Sequence, residues 1–226
     1  MKKERPGIFI AFEGIDGSGK STQAALLLKH LKKEGINPIF FDFPQYGKKS
    51  AGLVEEYLAG KYGTSLEVGP FRGSLFYAVD RYDASFQLSK WLAQGKVIVA
   101  DRYVGSNIGH QGGKIADKRE RKKFFYWLHS LEYGIFQVPK PAFSFFLHMP
   151  PTLAKELCDN EERRKTKAKD IHEKDLEHLK NAEESYLQAV KTFPYDFRPI
   201  ECAPNGKLRS PQDIHEEIWT EMKKFL

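Results

Sequence analysis

Cysteine is scarce: Cys158 and Cys202 are the only two in 226 residues, and no C-x-x-C pair occurs. This argues against a disulfide-stapled secreted scaffold, and a reduced, cytoplasmic setting is expected. No apolar run approaches the length that spans a bilayer, so no membrane role is expected. Met1-Lys2-Lys3-Glu4-Arg5 precedes the apolar run 8–12, but that run is too short for a secretory signal and closes at Glu13. No Pro-, Ser- or Gly-rich linker and no internal repeat divides the chain, which reads as a single domain over 1–226. There is no helical H-E-x-x-H and no serine nucleophile elbow, and His110, His129, His172 and His178 have no metal-ligand spacing. Charge imbalance is small: 36 Lys and Arg against 30 Asp and Glu, formally +6. That suits an anionic partner without naming one.

What the chain does have is Gly14-Ile15-Asp16-Gly17-Ser18-Gly19-Lys20-Ser21. It follows the apolar Ile8-Phe9-Ile10-Ala11-Phe12 and leads into Ala24-Ala25-Leu26-Leu27-Leu28. A strand, a glycine loop and a helix are the context in which G-x-x-x-x-G-K-[ST] becomes a phosphate loop. Gly14, Gly17 and Gly19 allow positive φ and close backbone approach to an anion. Successive N–H groups then face one concavity, and the helix N-terminus adds its positive end. Lys20 reaches the β/γ-phosphates, and the Ser21 hydroxyl can ligate Mg²⁺.

Further along, the pattern predicts strands at 38–43, 97–100, 143–149 and, weaker, 198–202, where Pro199 argues for a sheet edge. Helices are expected from Lys20 to Lys33, from a Ser50 cap, from Pro70 to Ala93, from Asp117 to Tyr133, from Thr152 through Cys158, from His172 to Thr192 and from Ser210-Pro211 onward. Gly60–Gly69 and Gly105–Lys114 read as polar loops. Strands alternating with helices imply α/β architecture: a central five-stranded parallel sheet with helices on both faces.

Asp101-Arg102 follows the 97–100 strand, at the end where open α/β sheets bind ligands. Arg102 can match phosphate oxygens in a fork, and Asp101 can hold Mg²⁺ opposite Ser21. Tyr77 and Arg81, four apart on one helix, share a face. They can stack on a flat base and donate to its edge; core packing for Tyr77 and a surface ion pair for Arg81 is the other reading. Ser106 and Gln111 can bond a base edge, as many loop residues can. The charge-dense run 159–169 is either a solvated turn or a lid. The phosphate loop holds no internal base, so cations for phosphoryl transfer must come from elsewhere. Arg163 and Arg164 are the foremost candidates, with Lys165, Lys167 and Lys169 behind them.

These segments together resemble the thymidylate kinases, a branch of the nucleoside monophosphate kinases. The matching stretches are Phe12 to Thr22, Phe43-Pro44, Leu75 to Arg81, Asp101-Arg102-Tyr103 with Ser106, Gln111-Gly112 and Pro139-Lys140-Pro141. The resemblance implies a three-layer α/β/α P-loop NTPase fold with a short lid at about 159–170, and phosphorylation of dTMP by ATP with Mg²⁺, a step of dTTP biosynthesis. It places Asp16 near the deoxyribose 3′-hydroxyl and the acceptor phosphate. Tyr77 takes the position of a thymine-stacking aromatic, and Arg81 meets thymine O4. Arg102 holds the dTMP phosphate, Ser106 and Gln111 read the thymine edge, and Phe43 lines the same site. Residues Gly14 to Thr22, with Ile15 and Ser18 between the glycines, bind ATP. A homodimer is implied, packed through the helix around 75–92. Two positions depart from the pattern. Gln45 follows Phe43-Pro44 where relatives place an arginine, leaving Lys48, Lys49 or Arg72 to replace it. His110 stands where a tyrosine is usual.

Two rivals remain at this level. One is a P-loop kinase for another pyrimidine monophosphate or a deoxynucleoside. The other is a nucleotide-gated module touching nucleic acid through the basic clusters at 114–123 and 163–169. The chain carries no RNA-type aromatic motif and no helix-turn-helix signature, so no nucleic-acid partner is expected.

Overall fold

A computed structural model describes residues 7–162 and 176–226. Five strands form one sheet: β1 (Ile8–Glu13), β2 (Ile39–Asp42), β3 (Val97–Asp101), β4 (Phe143–His148) and β5 (Phe197–Glu201). Their order is β2-β3-β1-β4-β5, and every neighbouring pair is parallel. A parallel sheet is covered by helices on both faces, so its central strands must be apolar on both sides. Accordingly Phe9 to Phe12, Val97 to Ala100 and Phe143 to Leu147 are buried almost throughout. β5 lies at the edge of the sheet, the position in which a strand proline such as Pro199 is tolerated.

Eight helices are named among the described residues: α1 (Lys20–Lys33), α2 (Gly52–Leu58), α3 (Ser65–Ala93), α4 (Val104–Ser106), α5 (Lys118–His129), α6 (Pro151–Glu162), α7 (Leu176–Thr192) and α8 (Pro211–Met222). α1 has the predicted bounds and stops before Gly35, whose φ of 76° favours a residue without a Cβ. α8 begins where Ser210 accepts the Asp213 N–H, and buries Ile214, Ile218 and Met222.

Three local expectations are corrected. Ser50 caps nothing: its hydroxyl donates to Asp80 Oδ1 at 2.6 Å, and α2 starts after Ala51 without a side-chain cap. The 60–69 stretch is not wholly loop. Thr64 and Glu67 form a reciprocal capping box that starts a helical turn before the kink at Gly69, φ 74°. The largest correction is 105–114, which runs as short helical turns through Asn107–Gln111 and Gly112–Lys114. Its glycines serve close packing rather than looseness. A Cβ on Gly109 would sit 2.1 Å from the Tyr186 ring, and one on Gly113 2.9 Å from the Ala182 backbone nitrogen. α7 thus lies hard against this segment and fixes the side chains it presents. The lid expected at about 159–170, with Arg163 and Arg164, falls largely outside the described residues.

The register places function at one end of the sheet. Asp42, Asp101 and Phe12 lie side by side on β2, β3 and β1, at the strands' carboxyl ends. The glycine loop leaves β1 there.

Candidate active site

The glycine loop adopts the backbone its sequence demands. Gly14, Gly17 and Gly19 have φ of 146°, 77° and 87°, all difficult for a side-chain-bearing residue. Gly17 also packs tightly, since a Cβ there would meet Ala154 O at 2.1 Å. Lys20 closes the loop by donating to Gly14 O at 3.1 Å and Ile15 O at 2.8 Å. Burial lowers its ammonium to about 8, leaving it mainly charged at neutral pH.

Arg102 stands beside this loop. It is a non-glycine residue at φ 66°, held by its N–H to Phe12 O at 2.9 Å. Backbone strain of this kind needs surrounding structure to sustain it. The guanidinium bonds Asp16 through Nη2, and its Nη1 lies 3.1 Å from His110 Nε2 and 3.4 Å from Ser106 Oγ. Burial alone would raise the Asp16 carboxyl, but the Arg102 charge overrides it and holds that carboxyl below the usual range. Arginine has no lone pair, so His110 must accept on Nε2 and carry its proton on Nδ1, towards His178 Nε2 at 3.2 Å. Burial holds His110 well below its usual pKa, consistent with that neutral tautomer.

Glu13, passed over in the sequence except as part of the motif, ties these pieces together. Fully buried, it accepts from Tyr103 N–H at 2.8 Å, Ser106 Oγ at 2.7 Å and the Tyr186 hydroxyl at 3.2 Å. Burial raises its carboxyl above the ordinary value. The single Ser106 proton goes to Glu13, so Ser106 offers only oxygen lone pairs elsewhere.

Two cavities open at this end of the sheet. The smaller, about 230 Å³, brings together Asp16, Phe43, Tyr77, Arg81, Arg102, Ser106 and Gln111. All seven substrate-side residues expected from the sequence therefore line one space. Arg81 is neither exposed nor alone. Its Nε donates to both Glu132 oxygens at 3.0 and 3.1 Å, and Nη2 bonds Oε1 as well. Both partners are buried, 2% and 0% exposed. Glu132 lies 51 residues away, at a spacing no sequence periodicity could signal. Asn107, His110, Lys114 and His178 also line the cavity. Of the cations considered after Phe43-Pro44, Lys48 bonds Gln45 Oε1 at 2.6 Å and Arg72 donates to Val68 O at 2.7 Å. Neither of these, nor Lys49, lines either cavity. Gln45 instead anchors its loop, with N–H and Nε2 donating to the Asp80 carboxylate at 2.9 and 3.0 Å.

The larger cavity, about 410 Å³, runs along Asp16 to Gln23 and between Met149, Leu157, Leu208 and Ile214. Its apolar walls suit a flat base, and its glycine-loop floor suits phosphates. Asp42, Asp101 and Ser21 line it too. Asp101 Oδ1 is buried with no hydrogen-bond partner among the described residues, the condition of a carboxylate oxygen that fits a cation. The two cavities share Asp16, Phe43, Pro44, Tyr46 and Arg102.

A phosphate loop on a β2-β3-β1-β4-β5 parallel sheet, with two cavities meeting beside it, defines a P-loop kinase. The thymidylate kinase family model matches residues 12–214. Thymidylate kinase of Plasmodium falciparum is 28% identical, covering 98% of this chain and 92% of its own. A probable thymidylate kinase of Thermococcus gammatolerans is 31% identical, covering 94% of each. The solved thymidylate kinase of Candida albicans superposes with a TM-score of 0.73 at 23% identity, covering 97% of this chain and 93% of its own. The chain belongs to the thymidylate kinase family, and is a nucleoside monophosphate kinase.

Proposed function

We propose that the two cavities divide the work of a kinase that transfers the γ-phosphoryl group of ATP to dTMP. ATP occupies the larger cavity, its phosphates on Gly14 to Thr22 and Lys20. dTMP occupies the smaller one. Its base lies under Tyr77 and beside Arg81 and Gln111, and its phosphate reaches Arg102. The carrying observation is that Asp16 and Arg102 belong to both cavities, so the two phosphate tails meet there.

The acceptor phosphate oxygen is already anionic at neutral pH, so no general base is required. Catalysis rests on positioning and on compensating charge. Lys20 and Arg102 supply that charge from fixed positions, and Asp16 holds Arg102 in place. The sequence offers Arg163 and Arg164 as further cations; both lie outside the described residues. Mg²⁺ bound through Asp101 and Ser21 would neutralise charge on the ATP phosphates.

The chain works as one domain, and two copies pair through α3. Leu75, Val79, Tyr82 and Phe86 present an apolar row there, 39%, 39%, 42% and 66% exposed. No described helix is long and apolar enough to cross a membrane, in keeping with a cytoplasmic enzyme. A coupled ADP-release assay over the monophosphates tests the function: dTMP should exceed dCMP, AMP and thymidine. Preference for thymidine over dTMP would remove the phosphate role of Arg102.

A further inference from the structure

Two side-chain amides line the smaller cavity, Asn107 and Gln111. Each can present either a donor or an acceptor, and only its fixed partner decides which. For Gln111 that partner is Lys114, whose Nζ lies 2.7 Å from Oε1. An ammonium has no lone pair, so only the amide oxygen can face it. The Gln111 amino group is thereby turned away from Lys114, and Nε2 has no protein partner among the described residues. For Asn107 the partner is Ser74 O, 3.1 Å from Nδ2. A carbonyl has no proton, so only the amino group can face it, and Oδ1 is left to accept.

The cavity therefore offers a donor at 111 and an acceptor at 107. Arg81 adds donors only, since a guanidinium has no lone pair, and Glu132 already takes Nε and part of Nη2. A pyrimidine with a 4-oxo group and an N3–H fits that arrangement: its oxygen accepts, its N3–H donates. A 4-aminopyrimidine presents the reverse pattern and would leave buried polar groups unpaired on both sides.

We propose that Lys114 is the specificity-determining positioning residue of the acceptor site, locking the Gln111 amide in the sense that reads a 4-oxo pyrimidine and rejects a 4-amino one. Its own position is fixed independently of any ligand. The ammonium also bonds the Tyr57 hydroxyl at 2.7 Å and Ser65 O at 3.3 Å, so all three of its protons are engaged. These contacts tie the end of the 105–114 segment to α2 and to the first turn of α3. This inference rests on the smaller cavity being the acceptor site.

The test compares kcat/KM for dTMP and dCMP, with ATP saturating, in wild type, Lys114→Met and Lys114→Arg. Lys114→Met frees the Gln111 amide to turn and should cut the dTMP-over-dCMP ratio about tenfold or more, the worth of one buried hydrogen bond. The change should appear mainly in KM for the monophosphate, with KM for ATP unmoved. Lys114→Arg, still a pure donor, should keep the ratio near wild type. Equal losses for both substrates in Lys114→Met would overturn the proposal. Gln111→Glu gives a second reading should Lys114→Met fold poorly. It replaces the donor by an acceptor, so the ratio should fall in the same sense, and an unchanged ratio would again overturn it. Wild type that phosphorylates neither substrate would instead refute the assignment of function, which keeps the two failures apart.

Discussion

Arg102 and Asp16, 86 residues apart in sequence, form an ion pair at the wall common to the two cavities. Neither side chain is fully enclosed, at 23% and 15% exposed, so the pair is open to what enters from either side. Arg102 holds a strained backbone angle to reach that position, and Glu13 braces the next residue, Tyr103. The pair is the point where binding and transfer are expected to couple.

Arg102→Ala should lower kcat/KM for dTMP by about 10²–10³, the range for removing one preorganised charge-stabilising donor. KM for ATP should change little. Steady-state kinetics with each substrate varied in turn checks this, and equal damage to both would assign Arg102 a structural role.

Lys20→Ala should lower kcat by about 10² or more, through loss of a cation at the β/γ-phosphates. Single-turnover transfer with saturating nucleotides, alongside an unchanged melting temperature, separates this from unfolding.

Glu132→Ala should destabilise the fold by about 3–5 kcal/mol, because it leaves the Arg81 charge buried and unpaired. The double variant Arg81→Leu/Glu132→Leu removes both charges and should recover much of that loss. Urea denaturation of the two variants and wild type measures it.

Stability should fall in the alkaline range through His148. Its ring nitrogens lie 3.0 Å from Glu183 and 2.6 Å from Glu201, joining β4 to α7 and β5. The Glu183 hydrogen bond, with Glu201 beside it and burial opposing, raises the imidazole to about 9. A raised folded-state pKa stabilises fully below the unfolded value, near 6.5. The contribution is then lost as pH rises through about 9. Wild type should therefore lose melting temperature between pH 7 and pH 10 relative to His148→Gln. Parallel curves would show that the imidazole is not held charged.

Much of this architecture is legible in the sequence because each feature is local. The glycine spacing of 14–19 fixes the loop, and β1, α1 and β3 follow from short apolar or 3.6-periodic runs. The 105–114 segment reads as loop in the sequence because its glycines and polar residues resemble turn chemistry. The reason for them lies in α7, whose Tyr186 and Ala182 leave no room for a Cβ. Tyr77, Arg81, Arg102 and Gln111 could be nominated from motif positions. Glu132 and Asn107 could not, since their roles come from partners 51 and 33 residues away. Lys114 lies three residues from Gln111, but the Tyr57 hydroxyl that anchors it is 57 residues away. Glu13 sits beside the phosphate loop, yet nothing in its spacing tells that Tyr103, Ser106 and Tyr186 converge on it.

The measurement closest to the central claim is competition by adenosine and thymidine joined 5′ to 5′ through a polyphosphate. If the two cavities hold ATP and dTMP with their phosphates meeting at Asp16 and Arg102, this compound should compete with both substrates, bind more tightly than either, and weaken markedly in Arg102→Ala. Competition with ATP alone, unaffected by Arg102→Ala, would contradict the account.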